Sequence, residues 1–188
     1  MHPIPFLDKN RVDQYFLNTI EVLKSENRNP SVVMEVFANA DGLLCGIDEV
    51  VDVLCETLPG DAQIWALNDG AVMSRKEVVL RIHTDYCAVG AFETALLGTL
   101  AHGSGWATAS RCGGLTPDRM SEFVRLDCPI AGFGVGSAIS GARPIDFTAD
   151  LKEVDGQPIA KRGRKVGIQV NLKLERKSKS IVEQRRED

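Results

Sequence analysis

The sequence of 188 residues lacks the features that define several classes of protein. Its five cysteines are an odd number and include no C-x-x-C pair, so neither a zinc ribbon nor a secreted disulfide framework is indicated. No run approaches eighteen apolar residues, which argues against a membrane-spanning helix. Residues 1–8 have neither the basic start nor the apolar stretch of a signal peptide. The expected location is therefore the cytoplasm, with free thiols.

Groupings of catalytic or metal-binding residues are also missing. The three histidines, His2, His83 and His102, share no metal-ligand spacing, so no metal site is predicted. No nucleophile can be paired with a base, and the catalytic residues stay unassigned. Asp150 and its acidic neighbours lie beside lysines on a predicted hairpin, which is typical of a charged sheet face.

Charge is distributed unevenly along the chain. Residues 161–188 hold ten Lys/Arg against four Asp/Glu, which leaves twelve basic against twenty-two acidic residues in the rest. The basic run at 161–165 either contacts a polyanion such as nucleic acid or phosphate, or forms part of a solvated terminus. No aromatic residue interleaves with these charges as single-strand binders require, so nucleic acid is not an expected partner.

Apolar spacing and turn residues predict a mixed α and β fold. A β-hairpin is expected over 147–161 because Asp155-Gly156 accepts the positive φ angles of a tight turn. The Ala- and Gly-rich stretch 86–110 predicts a long buried helix whose small residues allow close packing. The segment 77–83 alternates apolar and charged side chains, which predicts a sheet with one wet face. The other expected helices lie at 10–25, 47–58 and 116–126, and the strands at 31–38, 63–67 and 77–83.

Two glycine turns, Gly113-Gly114 and Gly136-Ser137, each precede a predicted helix. Free backbone N–H groups and the positive end of a helix dipole make such turns phosphate sites, although plain tight turns have the same composition. Tyr15, on the first predicted helix, is either a core aromatic or presents its ring to a planar ligand.

Five segments together resemble nicotinate phosphoribosyltransferase, over about residues 5–165: residues 13–16, 92–98, 113–115, 133–137 and 150–163, of which the last is the most specific. The resemblance implies an α/β protein: an N-terminal α+β domain completed by a returning β-hairpin, plus a remnant of an α/β barrel. The expected divisions are the N-terminal domain at 1–110, the barrel remnant at 111–145, the returning hairpin at 146–170 and a charged tail at 171–188.

The resemblance also implies ligands and roles. The family joins nicotinate to phosphoribosyl pyrophosphate, with coupled ATP hydrolysis and Mg²⁺, to make nicotinate mononucleotide for NAD by pyridine nucleotide salvage. Tyr15 would stack on the nicotinate ring, in the family usually within the neighbouring subunit's site, which implies a dimer or another homo-oligomer. Gly113 and Gly114 would form one phosphate loop, and Gly136 and Ser137 the other. No firmly bound cofactor is expected.

The sequence departs from the family in its middle. Residues 109–111 run directly into Cys112, so the block that carries most barrel strands and the phosphorylated histidine is absent. Three hypotheses follow. The chain is a pseudoenzyme that binds ligand or associates with a full-length relative, an active enzyme completed by another chain, or a non-enzymatic interaction module.

Overall fold

A computed structural model describes residues 12–110, Arg125 and residues 141–178. The long helices are α1 Gln14–Ser25, α2 Ile47–Thr57 and α4 Glu93–Ser110, with a short α3 at Tyr86–Val89. The strands are β1 Ser31–Ala38, β2 Gly42–Leu43, β3 Gln63–Ala66, β4 Val72–Met73, β5 Val78–Asp85, β6 Phe147–Val154, β7 Gln157–Pro158 and β8 Glu175–Lys177. The predicted mixed α and β class is thereby confirmed, whereas the helix expected at 116–126 lies outside the described residues apart from Arg125. No helix in the described ranges combines the length and apolarity that crossing a bilayer demands.

One antiparallel sheet organises the described chain. Its strand order is β7-β6-β1-β5-β3-β8, so β6 pairs with β1 across more than a hundred residues of sequence. The predicted hairpin is confirmed, because Asp155 and Gly156 take φ values of 48° and 75° between β6 and β7. The Asp155 carboxylate also accepts the backbone N–H of Ser31 at 2.9 Å, which fixes the hairpin turn against the start of β1.

The hydrophobic core lies on one face of this sheet, under the helices. Alternate residues of β1 and β5, such as Val36 and Leu80, are almost fully buried there against Leu54 of α2 and Leu96 of α4. Each such side chain contributes roughly 1.5–3 kcal/mol by leaving water. The period-2 pattern of the strands and the 3.6-residue pattern of α2 therefore meet in one apolar layer.

The long helix expected over 86–110 is divided. A 3₁₀ turn at Gly90–Phe92 separates α3 from α4. A Cβ on Gly90 would lie 3.0 Å from the ring of Tyr86, and a Cβ on Gly103 would lie 2.8 Å from the carbonyl oxygen of Cys45. The close packing predicted for this small-residue helix is therefore confirmed.

The opposite face of the sheet is not wet, so that expectation is wrong. Residues 163–174, here called the strap, cross this face and cover it. The backbone N–H of Gln169 donates to both carboxylate oxygens of Glu35, at 3.1 and 3.2 Å, and the guanidinium of Arg81 donates to the Gln169 carbonyl. Glu35 is fully buried, and Asp150 and Lys152 are each only 2 % exposed. The charged face is buried because the strap supplies its hydrogen-bond partners.

The segment 171–188 is predicted to be a charged tail. In its described part, residues 171–178, it contains a strand. Glu175–Lys177 forms β8, which pairs with β3 at the edge of the sheet. Lys177 is buried because its ammonium donates to Asn68 Oδ1 at 2.5 Å and pairs with Glu175 at 3.2 Å. Residues 179–188 lie outside the described residues.

Candidate ligand surface around Tyr15

Tyr15 lies in the first turn of α1 with its side chain 56 % exposed. Its neighbours Phe16 and Ile20 point into the protein and are buried. Of the two alternatives for Tyr15, the structure supports the surface position and not the core. Its stacking on a ligand stays a prediction.

Tyr15 contacts the ring of Phe16 on one side, next to a hydrogen bond between Asp13 and Thr94. Its ring centroid lies 3.9 Å from that of Phe16, with the planes tilted by 36°. Asp13, at the N-cap of α1, accepts a hydrogen bond from the Thr94 hydroxyl at 3.1 Å, which joins the beginning of α1 to the first turn of α4. One side of the ring is therefore supported by protein while much of it remains open to solvent.

Burial and nearby carboxylates keep the tyrosine hydroxyls of this surface protonated. Partial burial, together with the carboxylates of Glu93 and Asp13, raises the pKa of Tyr15 to about 12. Burial also raises the pKa of Tyr86, although a hydrogen bond with Thr19 acts against it. Both phenols are hence neutral hydroxyl groups near pH 7, and the hydroxyl of the mostly exposed Tyr15 can donate to a ligand.

Glu93 adds a carboxyl group to the same surface. Burial raises its pKa, attraction to Lys161 lowers it, and repulsion from Asp150 and Asp13 raises it again, with a net increase. An exposed aromatic ring, phenolic hydroxyls and a carboxyl group can stack on and hydrogen-bond a planar polar ligand. In the ranges that the structure describes, no set of three His, Cys, Asp or Glu side chains is placed to hold a metal ion.

The predicted phosphate-loop residues Gly113, Gly114, Gly136 and Ser137 lie outside the described residues, and their assignment stays a prediction. Sequence reasoning missed Tyr86 and Glu93 as neighbours of Tyr15. Glu93 stands inside the segment 92–98 that carried part of the resemblance, but nothing in the sequence alone placed it beside α1. The contact arises from the turn at Gly90, which brings α3 and α4 against the first helix.

Residues 13–104 match the family model described as the N-terminal domain of quinolinate phosphoribosyl transferase. This segment is similar to that domain. The match covers the stretch from the beginning of α1 into α4 and includes every residue of the surface around Tyr15 named above except Lys161 and Asp150. The matched model describes a quinolinate enzyme and covers slightly less than half of the chain, so the resemblance to nicotinate phosphoribosyltransferase in particular stays a prediction.

One solved structure shares the fold over nearly the whole chain. The chain aligns with nicotinate-nucleotide pyrophosphorylase from Pyrococcus furiosus at 19% identity and a TM-score of 0.67, covering 96% of this chain and 87% of that one. NadC from Streptococcus pyogenes aligns at 18% identity and a TM-score of 0.39, over 54% of this chain and 40% of that one. Human nicotinic acid phosphoribosyltransferase aligns at 18% identity and a TM-score of 0.41, over 53% of this chain and 27% of that one.

Proposed function

We propose that this chain is a phosphoribosyltransferase-like protein of NAD salvage that is catalytically incomplete alone and acts by binding a pyridine ligand or by associating with a full-length relative. The observation that carries the proposal is the length of one connection. Helix α4 ends at Ser110 and β6 begins at Phe147, although both belong to one sheet domain. Only the residues between them are free to form any domain inserted at this point.

A connection of 36 residues, 111–146, is too short for an α/β barrel. Such barrels take about 200 residues or more, because each of the eight strands needs a helix and two loops. Phosphoribosyl transfer depends on several charged groups fixed around the developing charge, and in the resembled family the barrel holds those groups in place. ATP, Mg²⁺ and phosphoribosyl pyrophosphate would accordingly be held by the full-length relative.

The surface around Tyr15 is the part of this chain that we propose takes the pyridine ligand. A planar ring can stack on the open side of Tyr15, and a pyridine carboxylate can accept a hydrogen bond from a neutral phenol. Nicotinate is the proposed ligand because the most specific resemblance, residues 150–163, is to the nicotinate enzyme. Quinolinate is the competing ligand because the matched domain is that of the quinolinate enzyme.

The decisive experiment is size-exclusion chromatography with light scattering on this chain, alone and mixed with a full-length nicotinate phosphoribosyltransferase from the same source. Both samples are then assayed for nicotinate mononucleotide, and the chain alone is melted with nicotinate mononucleotide or quinolinate. We expect a mixed species with altered turnover, and protection from unfolding by the nicotinate ligand. The variant Tyr15→Ala should lose both effects without unfolding, because its side chain is mostly exposed.

Trp106→Ala is the matched control, since Trp106 is an aromatic of similar exposure, 49 %, on α4. Equal losses in the two variants would argue against a specific role for Tyr15. Turnover that needs both chains, each inactive alone, would favour an enzyme completed by a partner. If the chain neither associates with the enzyme nor is protected by either ligand, the proposal is overturned and the hypothesis of an interaction module remains.

A further inference from the structure

A second cavity, of about 440 Å³, opens between the strap and the outer face of the sheet. It shares one lining residue, Asp150, with the surface around Tyr15 and lies outside the proposed function. The basic run 161–165, which the pyridine surface does not explain, contributes Arg164 and Lys165 to its wall. The volume falls within the roughly 300–1,000 Å³ range of small-molecule sites.

Positive charge dominates this cavity. Four cations line it, Lys76, Lys152, Arg164 and Lys165, against the two carboxylates of Glu77 and Asp150.

Both carboxylates already have cationic partners. Glu77 pairs with Lys173 at 2.8 Å. Asp150 pairs with Lys161 at 3.4 Å and with Arg164 at 3.7 Å. Within the described ranges no carboxylate forms an ion pair with Lys76, Lys152 or Lys165. Three ammonium groups of this cavity therefore have no ion pair with a described carboxylate, although Lys152 attracts the nearby Glu35, whose pKa is raised by burial and lowered in part by this attraction.

Lys152 is the most telling of the three because it is 2 % exposed. Its ammonium has three N–H donors but donates one hydrogen bond among the described residues, to the Lys165 carbonyl at 2.9 Å, and lies 4.9 Å from the Phe37 ring centroid. The neighbouring Glu35 carboxylate is already occupied by Arg81 and Gln169. A buried ammonium is destabilising unless it is paired, so Lys152 favours an anion in the cavity.

We propose that this cavity binds a small molecule that carries phosphate groups, with Lys152 at its floor and Lys76 and Lys165 at its rim. A phosphate or pyrophosphate group has two or more negative charges, which matches three unpaired ammonium groups better than a single carboxylate does. Lys76 and Lys165 are exposed, which allows a ligand to enter from solvent.

The test is calorimetric titration of the full chain with inorganic pyrophosphate. The double variant Lys76→Gln/Lys165→Gln should bind at least about tenfold more weakly, because two charge-assisted contacts are lost. Lys152→Met, similar in length but uncharged, should abolish binding while circular dichroism shows an intact fold. The control Lys24→Gln/Arg28→Gln removes the same charge from exposed positions on and just after α1, and should bind as the wild type does.

Absence of saturable pyrophosphate binding by the wild type would overturn the proposal. Equal weakening in both double variants would overturn it as well, because it would show that binding follows net charge. A single-stranded oligonucleotide that binds where pyrophosphate does not would reassign the lysines to a polyanion surface. If Lys152→Met fails to fold, the rim variant and its control still decide the outcome, since their side chains are exposed.

Discussion

The two faces of the sheet bury their side chains by different means, and adjacent residues of β5 show the difference. Leu80 faces the helices and is fully buried among aliphatic side chains. Arg81, the next residue, faces the strap and pairs with the buried Glu35 at 2.8 Å. The apolar face requires only neighbours of the right volume, whereas the charged face requires specific partners from a segment more than 80 residues away.

This difference predicts how each face responds to substitution. Removing one side chain from the apolar face leaves a cavity, and the cost depends on its volume. Removing one partner from the charged face leaves the other charge buried and unpaired, although replacing both partners with apolar residues is often tolerated. The two faces can therefore be compared on neighbouring residues of one strand.

The largest effect is expected on the apolar face. Leu80→Ala should lower the free energy of unfolding by about 2–5 kcal/mol, because it opens a cavity in the layer between sheet and helices. Urea denaturation followed by circular dichroism measures the loss. A loss below about 1 kcal/mol would mean that this layer is not closely packed.

On the charged face, Glu35→Ala should cost about 3 kcal/mol, because Arg81 and the Gln169 N–H both lose their acceptor. The double variant Glu35→Leu/Arg81→Met should recover most of that loss in the same denaturation experiment. If the losses of the single variants Glu35→Leu and Arg81→Met simply add in the double variant, the two groups are not coupled and the contrast between the faces fails.

Two glycines of α4, Gly103 and Gly98, test how closely this helix packs. Gly103→Ala should destabilise by about 1–3 kcal/mol, because its Cβ would meet the Cys45 carbonyl at 2.8 Å. Gly98→Ala meets nothing within 4 Å and should stabilise by up to about 1 kcal/mol through helix propensity. Thermal melts of the two variants should thus shift in opposite directions, and equal shifts would contradict the close packing.

The smallest effect concerns acid and the strap. Partial burial raises the pKa of Glu77, but hydrogen bonds from Lys173 and Ser74 outweigh it, so the net pKa is lowered. The folded protein then binds fewer protons, and this stabilisation is present above the ordinary glutamate pKa of about 4.3 and lost as pH falls through the lower folded value.

Glu77→Gln should accordingly show a smaller fall in Tm than the wild type between about pH 6 and about pH 3.5. Lys24→Gln serves as a control for a change of one charge at an exposed position. A wild-type and Glu77→Gln pair with parallel pH profiles would show that Glu77 does not hold the strap.

Local patterns predicted most of the sheet and failed on the strap. The β-branched run of β1 and the Asp155-Gly156 turn are short-range signals, and both were confirmed. The strap carries two apolar residues outward, Val170 and Leu172 at 87 % and 95 % exposure, and its polar Gln169 inward. Ordinary amphipathic reasoning assumes an apolar inner side, so it predicts the wrong side for a segment that covers charges.

The candidate ligand surface shows the same limit. Tyr15 could be singled out because its helix and its motif are local. Tyr86 and Glu93 could not be joined to it, because that contact depends on the division between α3 and α4 at Gly90. Likewise, the sequence predicts that Lys152 is a surface lysine on a hairpin. In the structure the strap covers Lys152 and buries it.

The two outermost strands of the sheet are both very short. β7 has two residues, one of them Pro158, which has no N–H to donate to another strand, and β8 has three, including Arg176 and Lys177. Proline and cations at a sheet edge discourage the addition of a strand from another molecule. Edge-to-edge growth into fibrils is therefore disfavoured where these two strands form the edges of the sheet.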